Sequence, residues 1–403
     1  MKIIQLYNQQ RSVFGGEESV INVMRAALER HGHQTLLWKE SSRGIEHSAL
    51  KKLKAAVSGV YNLAAYGSMQ KLLRTEQPDI VHAHSVYPMF SPSVLAACRP
   101  RQVPVVLHVH SHILTCPNWY HLRNGKVCEL CFGGKAYNCL LTNCRGSIPE
   151  SAAYALRSGI ANRLKLFHRN VTLFVTVSDF LRVRLIRAGF PEDRVEVLPN
   201  AVSASKVELT QLSNSGEYVG YSGRLSPEKG VSTLIEAARI AGIPVKIAGD
   251  GAEADSLKRL APSNVEFLGR LSGTELSGFY QRSRFTVMPS RCFETFSLAA
   301  AESMAFGKPV IASRIGALPE LIQDGVNGLL FEPGDPKELA NRMTSLWNDP
   351  QTCISYGHRA KQWAEAVCNQ ESFYINLLTI YERAKSLVGS TDRPRAISPR
   401  LAI

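Results

Sequence analysis

Residues 285–313, FTVMPSRCFETFSLAAAESMAFGKPVIAS, constrain the fold more than any other stretch. An apolar run ending at Met288 reads as a buried strand. Pro289 to Glu294 break it, and Thr295 to Phe306 resume with Ala, Leu, Met and Glu at helical spacing. Gly307, Lys308 and Pro309 stop that helix, and Val310 to Ala312 read as the next strand. The loop therefore feeds straight into a helix N-terminus, where unpaired N–H groups around Phe296, Ser297 and Leu298 suit an anion such as a phosphate. Glu294 in the loop and Glu302 about two turns on are placed to face one ligand, and carboxylates accept sugar hydroxyls. Two solvated glutamates on an ordinary loop and helix would look the same.

Short apolar strands alternate with helical stretches along the whole chain, which implies parallel sheets with crossover helices. Lys2 to Tyr7 is the first strand, and Phe14-Gly15-Gly16-Glu17-Glu18 leads into a helix from Ser19 to Arg30. Adjacent glycines let a phosphate approach that helix N-terminus, although a plain tight turn uses them as well. Gln34 to Trp38, Pro78 to His84 and Val103 to His110 are further strands, the first two separated by Lys39 to Ser48 and a helical stretch from Ala49 to Glu76. Ligands of such sheets gather at the carboxyl ends of strands, where His84 and His110 fall; a hydrogen-bonded structural histidine fits there too. Val171 to Val177 and Val195 to Val202 close the first half, and Ser203 to Gly216 has the polar composition of a linker.

A second alternating unit opens at Tyr218. Its first loop, GRLSPEKG from Gly223 to Gly230, carries Arg224 and Lys229 towards the anion held by the Phe296–Leu298 amides, and two cations answer a diphosphate. The strand Val245 to Ala248 ends in Gly249-Asp250-Gly251, a turn suited to a base or ribose, and Asn264 to Leu268 ends at Gly269-Arg270. Helices are expected at 336–346 and 361–386, and Gly389 to Ile403 has the composition of a disordered tail.

A chain of 403 residues exceeds the usual size of a single core, so two domains are expected. It has no apolar run of 18 residues and no leader-like N-terminus, which reads as a cytosolic protein without a membrane span. The net charge of +13 is uneven: residues 1–200 hold 25 Lys or Arg against 13 Asp or Glu, and the rest 22 against 21. The first half should therefore meet something anionic. Nucleic acid is excluded by the lack of paired zinc-finger histidines and of a basic ladder interleaved with aromatics. In residues 158–169, SGIANRLKLFHR, Arg163, Lys165 and Arg169, with Arg157 just before, cluster around Ile160, Leu164, Leu166 and Phe167. An anionic membrane interface and a solvated face both fit that pattern.

Residues 111–146 break the alternation and contain Cys116, Cys128, Cys131, Cys139 and Cys144, five of the chain's nine cysteines. Cys128-x2-Cys131 has the spacing of a zinc knuckle, with Cys139 and Cys144 completing four thiolates and Cys116 a rival ligand; plain buried thiols are the alternative.

Taken together, FGGEE, GRLSPEKG and Glu294-x7-Glu302 followed by GKPVIAS resemble the retaining, nucleotide-sugar-dependent glycosyltransferases of family 4 across nearly all of residues 2–386. The resemblance implies an α/β architecture of GT-B type: two Rossmann-like domains facing each other across a deep cleft. Residues 1–203 would bind the acceptor and carry the Cys-rich insertion, 217–370 would bind the donor, 371–388 would cross back as a helix, and 389–403 would be a tail. By resemblance, Arg224 and Lys229 clamp the diphosphate, Glu302 accepts the ribose hydroxyls, Glu294 grips the sugar, and His110 lies against it. The amides of Phe296, Ser297 and Leu298 meet the distal phosphate under the Gly15-Gly16 loop, with Gly249, Asp250 and Arg270 on the nucleotide side. Ser297 departs from the family's usual Gly, and Asn200-Ala201 from its usual Asn-Gly. The implied activity transfers a sugar, UDP-linked by family habit, to a glycan or lipid-linked diphosphate acceptor in surface-polysaccharide assembly without a catalytic metal. A nucleotide-sugar epimerase of the same fold and an inactive sugar-binding subunit are the other classes.

Overall fold

A computed structural model describes residues 1–9, 16–42, 48–202 and 216–389. Gly15, the centre of the Lys39–Ser48 segment, nearly all of the expected linker and the tail beyond Gly389 lie outside the described residues. Fourteen strands occur among them: β1 Lys2–Gln9, β2 Gln34–Ser41, β3 Ile80–Ser85, β4 Val105–Val109, β5 Leu122–Arg123, β6 Lys126–Val127, β7 Leu173–Thr176, β8 Val195–Val197, β9 Tyr218–Ser222, β10 Val245–Ala248, β11 Val265–Gly269, β12 Ser283–Met288, β13 Val310–Ser313 and β14 Gly328–Phe331. They form two six-stranded sheets, ordered β2-β1-β3-β4-β7-β8 and β11-β10-β9-β12-β13-β14, and the small hairpin β5-β6. Every pairing in the large sheets is parallel. Numbered from β9, the second sheet has the 3-2-1-4-5-6 order of a Rossmann fold, whose strand order reverses between β9 and β12. Ligand-binding loops belong at the carboxyl ends of those two strands.

The two α/β domains face one another across a cleft. His112 Nε2 donates to the Phe293 carbonyl at 3.1 Å, and Thr295 Oγ1 donates to the His110 carbonyl at 2.8 Å. Glu320 of the second domain accepts from the Asp179 N–H at 3.0 Å and from that of Phe180, so it caps the N-terminus of the helix Asp179–Arg187 in the first. The last helix, Gln370–Gly389, returns to the first domain and packs Phe373, Tyr374, Leu377, Ile380, Tyr381 and Ala384 against Ile3, Met24, Leu28, Val106 and Val175. No helix among the described residues is long and apolar enough to cross a membrane.

Several local expectations change, each for an identifiable reason. The stretch 49–76 is two helices, Ala49–Val60 and Leu63–Glu76, because the Asn62 side chain accepts from the Ala65 N–H and starts a new one. Asp349 and Pro350 likewise begin the helix Pro350–Val367, so three helices follow residue 335. The helix after Glu294 starts at Leu298, not Thr295, with Ser297 as its N-cap. The basic stretch 158–169 is interrupted at Lys165, whose φ of 50° separates Ile148–Arg163 from Leu166–Asn170. Arg157 and Phe167 are buried there, which leaves Arg163, Lys165 and Arg169 on the surface.

Candidate active site

A cleft of about 300 Å³ opens between the carboxyl ends of the two sheets. Gly16 and Glu17 line it after β1, His110 to His112 after β4, Arg224, Glu228 and Lys229 after β9, and Cys292 to Thr295 after β12. Gly16, His110, Arg224, Lys229 and Glu294, widely separated in the chain, thus meet around one space.

Lys229 Nζ and Glu294 Oε1 are 2.6 Å apart. Burial raises the cost of charge on Glu294, but Lys229, Ser290 and Arg224 outweigh it and hold the carboxyl below its ordinary range. Burial opposes the Lys229 charge too, and Glu294 reverses the balance and raises its pKa. The pair is ionised. Arg224 donates from Nη2 to Glu228 at 2.7 Å and from Nε to Ser226 at 3.1 Å, while Tyr221 OH donates to the Arg224 carbonyl at 2.9 Å. These contacts fix the guanidinium at the cleft wall. Gly230, at φ 66°, ends the Lys229 turn, and a Cβ there would stand 2.0 Å from the Pro289 carbonyl. Gly230→Ala is therefore expected to cost about 2 kcal/mol or more and to lower activity by displacing Lys229. An unchanged melting temperature would remove this turn as the positioning device.

At the start of the helix Leu298–Ala305, Ser297 sits at φ 104° and its hydroxyl accepts from the Ala300 N–H at 3.3 Å. Phe296 is buried in the core, and Leu298 packs against Gly16 so closely that a Cβ on that glycine would come 2.9 Å from its Cδ1. The remaining expected nucleotide contacts do not line the cleft. Glu302 is covered by Tyr280, whose OH donates to it at 3.0 Å, and burial raises its pKa. Gly249 lies against Gly223, whose carbonyl a Cβ would meet at 1.9 Å; Asp250 and Arg270 are exposed.

Sequence reasoning missed Glu17, Glu228, Trp119 and Tyr120. Both glutamates stand inside motifs that were read, FGGEE and SPEKG, but their place in the cavity wall shows only once the cleft is assembled. Burial first, then Glu18, pushes Glu17 up to about 8, so a protonated carboxyl faces the cavity at neutral pH. Trp119 and Tyr120 come from the Cys-rich insertion and had no local signal.

His110 is neutral, pushed down to about 3 by burial. Its Nε2 lies 3.0 Å from His84 Nδ1, and behind them stand His108 and His82, the latter 2.7 Å from Tyr381 OH. Ring nitrogens of His82, His84 and His108 lie within 4.8 Å of one another, and among the described residues no other three His, Cys, Asp or Glu side chains do so. Yet the rings are stacked, His82 on His84 at 13° and His84 on His108 at 22°. Nitrogen lone pairs lie in the ring planes, so near-parallel rings do not converge on one ion. The expected set Cys128, Cys131, Cys139 and Cys144 is not at mutual ligand distance either, and exchanging Cys128 for Cys116 does not bring any three thiols within 4.8 Å; Cys116, Cys131 and Cys139 are buried, Cys128 and Cys144 half-buried.

Comparison with known proteins agrees with this geometry. Residues 14–206 match the family described as Glycosyltransferase Family 4, and residues 208–363 that described as Glycosyl transferases group 1. An uncharacterized glycosyltransferase of Methanocaldococcus jannaschii is 26% identical over 328 residues, 80% of each chain. A GDP-mannose-dependent alpha-mannosyltransferase of Corynebacterium glutamicum is 26% identical over 392 residues, 92% of this chain and 88% of that one. The structure of Anabaena HepE in complex with UDP and glucose superposes with a TM-score of 0.66 at 21% identity, covering 95% of this chain and 99% of that one. The chain belongs to the GT-B superfamily, with a glycosyltransferase family 1/4-like fold in which the two matched halves face each other across the cleft just described.

Proposed function

We propose that the protein is a retaining glycosyltransferase that moves a sugar from a nucleotide diphosphate sugar to a glycan or lipid-linked diphosphate acceptor in polysaccharide assembly. The observation that carries this reading is the meeting of Arg224, Lys229 and Glu294 from one domain with His110 from the other in a single cleft. Breaking the bond between the anomeric carbon and the diphosphate places negative charge on the leaving oxygen. Arg224 and Lys229 stabilise that charge from fixed positions, and the N-terminus of Leu298–Ala305 adds its dipole. Glu294, fixed by Lys229 and Ser290, accepts sugar hydroxyls, and neutral His110 meets the ring without adding positive charge beside a developing oxocarbenium ion. Retention follows from attack on the face the diphosphate leaves, with a departing phosphate oxygen taking the acceptor's proton.

The UDP and glucose bound to HepE favour a UDP-sugar donor, and the mannosyltransferase relative makes a GDP-sugar the first competitor. The test is release of UDP or GDP from a panel of labelled donors, with and without lipid-linked acceptors. Release that depends on acceptor is expected, and it persists in brief excess EDTA because protein cations face the diphosphate. A free sugar-nucleotide product formed without acceptor would favour an epimerase, and no turnover of any donor an inactive binding subunit. The exposed Arg163, Lys165 and Arg169 support docking of the basic domain on anionic membrane, at about 1 kcal/mol for each cation near the surface. Glutamate at all three is expected to weaken sedimentation with anionic liposomes; equal sedimentation would leave them a solvated face.

A further inference from the structure

Phe293, Glu294 and Thr295 follow β12 in the second domain, and the outer two grip the first domain while Glu294 lines the cleft. The Phe293 ring lies among first-domain side chains. Its centre is 5.3 Å from that of Phe180, 6.1 Å from that of His121, 6.2 Å from that of His112 and 4.6 Å from the Arg184 guanidinium. The three ring pairs are inclined at 56°, 59° and 64°, a tilt and spacing at which aromatic rings attract, and the cation adds to them. Arg184 is buried, stands over Phe132 of the Cys-rich insertion at 4.9 Å and is ion-paired with Glu129 at 2.7 Å, so the insertion holds the cation in place. The backbone on either side of Glu294 is held as well. His112 Nε2 donates to the Phe293 carbonyl at 3.1 Å, and Thr295 Oγ1 to the His110 carbonyl at 2.8 Å.

This loop is fixed on its own domain before it meets those groups. The Ala317 N–H donates to the Glu294 carbonyl at 2.9 Å, and Gly316 stands so close that a Cβ on it would come 2.5 Å from the Glu294 nitrogen. The Arg291 N–H donates to the Glu228 carbonyl at 2.9 Å. A loop anchored in this way carries its domain with it, so seating the Phe293 ring sets the whole second domain, and Glu294, against the His110 wall. Phe180 and Arg184 belong to the helix Asp179–Arg187, whose N-terminus Glu320 caps. The second domain therefore touches that helix twice, at its end and along its side.

We propose that Phe293 is a positioning residue: seated in the socket of His112, His121, Phe180 and Arg184, its ring fixes Glu294 opposite His110, and the cleft is competent for transfer only while it is seated. Arg224, Lys229 and the helix Leu298–Ala305 all belong to the second domain, so a nucleoside diphosphate keeps these contacts when the ring is removed. His110 does not move with them. Transfer uses both walls, and a misplacement of about 1 Å between reacting groups costs about 10²-fold in rate. The turnover expected below rests on the functional reading already given.

The test uses the full chain. In Phe293→Ala, affinity for UDP or GDP, whichever the wild type binds in calorimetry, is expected to be unchanged, while kcat for nucleotide release falls about 10²-fold. Phe293→Tyr, which keeps the ring, should recover most of that loss. Phe180→Leu and Arg184→Met alter socket residues that do not line the cleft, and they should show the same split between affinity and kcat. Loss of turnover in Phe293→Ala with both socket variants near wild type would mean that the ring acts on the ligand itself, which overturns the proposal. So would a loss of nucleotide affinity as large as the loss of kcat. Hydrogen exchange reads the seat without turnover. The amides of Asp179 and Phe180, capped from the second domain by Glu320, are expected to exchange at least about tenfold faster in Phe293→Ala and in Phe180→Leu. Unchanged exchange there overturns the seat. If the wild type turns over no donor, the functional reading falls and the exchange measurement still decides this one.

Discussion

Lys229→Met is expected to lower kcat/KM for nucleotide release by about 10²–10³-fold, the loss that follows removal of one preorganised donor from a developing oxyanion. The same change strands Glu294, because the buried carboxylate loses the ammonium 2.6 Å away. Breaking a buried pair from one side costs about 3–5 kcal/mol, so the variant should also unfold more easily. The two effects separate by pH and by a second substitution. With Lys229 present the folded pKa of Glu294 is depressed, so the pair contributes stability above the carboxyl's unfolded value of 4.5 and loses it as pH falls through the folded value. Without Lys229, burial becomes the leading influence and raises that pKa, so acidification narrows the stability gap between variant and wild type. Lys229→Met with Glu294→Gln removes both charges; it is expected to recover much of the stability and none of the activity. Activity within about threefold of wild type in Lys229→Met, far short of the loss expected for a donor at the leaving oxygen, would discard the diphosphate clamp.

Acidification from pH 7 to 5 is expected to remove about 5–6 kcal/mol of folding free energy. Burial first, then His110, pushes His82 down to about 3; burial puts His110 at about 3, and burial with the neighbouring imidazoles holds His84 and His108 well below 6.5. All four are neutral in the fold and become charged on unfolding at mildly acidic pH. Their contribution is therefore fully present above 6.5 and is lost as pH falls towards the folded values. At pH 5 each costs about 2 kcal/mol, and four approach the whole stability of a typical domain, about 5–15 kcal/mol. Glu17 works the other way: held near 8, it favours the folded state increasingly as pH falls from 8 to 4.5, and returns about 2–3 kcal/mol between pH 7 and 5. Tyr381, which faces His82, is pushed up by burial and does not titrate in this window. Unfolding followed by circular dichroism should thus show a steep midpoint between about pH 5 and 3. Both nitrogens of His108 lack partners, so His108→Leu removes a titrating group without breaking a hydrogen bond and should move the midpoint to lower pH. A wild-type midpoint below about 3, where the four groups less the Glu17 return would come to about the top of that range, would show that these histidines keep access to solvent protons.

Those histidines mark the limit of what was legible in the chain. His84 and His110 stood out as polar ends of strands, a local signal. That β3 and β4 lie side by side, and so stack His82, His84, His108 and His110 into one block beneath Tyr381, depends on register between segments far apart in sequence. Lys229 and Glu294 were each recognisable in a motif, but their contact across the strand reversal between β9 and β12 comes from strand order. Asp250 and Arg270 sat in equally plausible turns and ended exposed, because a turn's composition does not say which side of the sheet edge it occupies. The burial of Arg157 and Phe167, just before and within 158–169, was hidden for a related reason: a helical pattern shows an apolar stripe without showing what covers it.

By itself, the sequence determined the class of elements and their alternation, the parallel sheets, and the loop-to-helix turns at Arg224–Lys229 and Glu294–Leu298, because these rest on hydrophobic period, backbone propensity and glycine placement within a few residues. Only the tertiary structure decided which loops share the cleft, that Glu17 is protonated beside it, that Glu320 caps a helix of the other domain, and that Cys116 rather than Cys128 joins the buried thiols. Each of those outcomes depends on burial and on distances between residues remote in the chain, and desolvation and Coulomb energies have no value until the fold sets both.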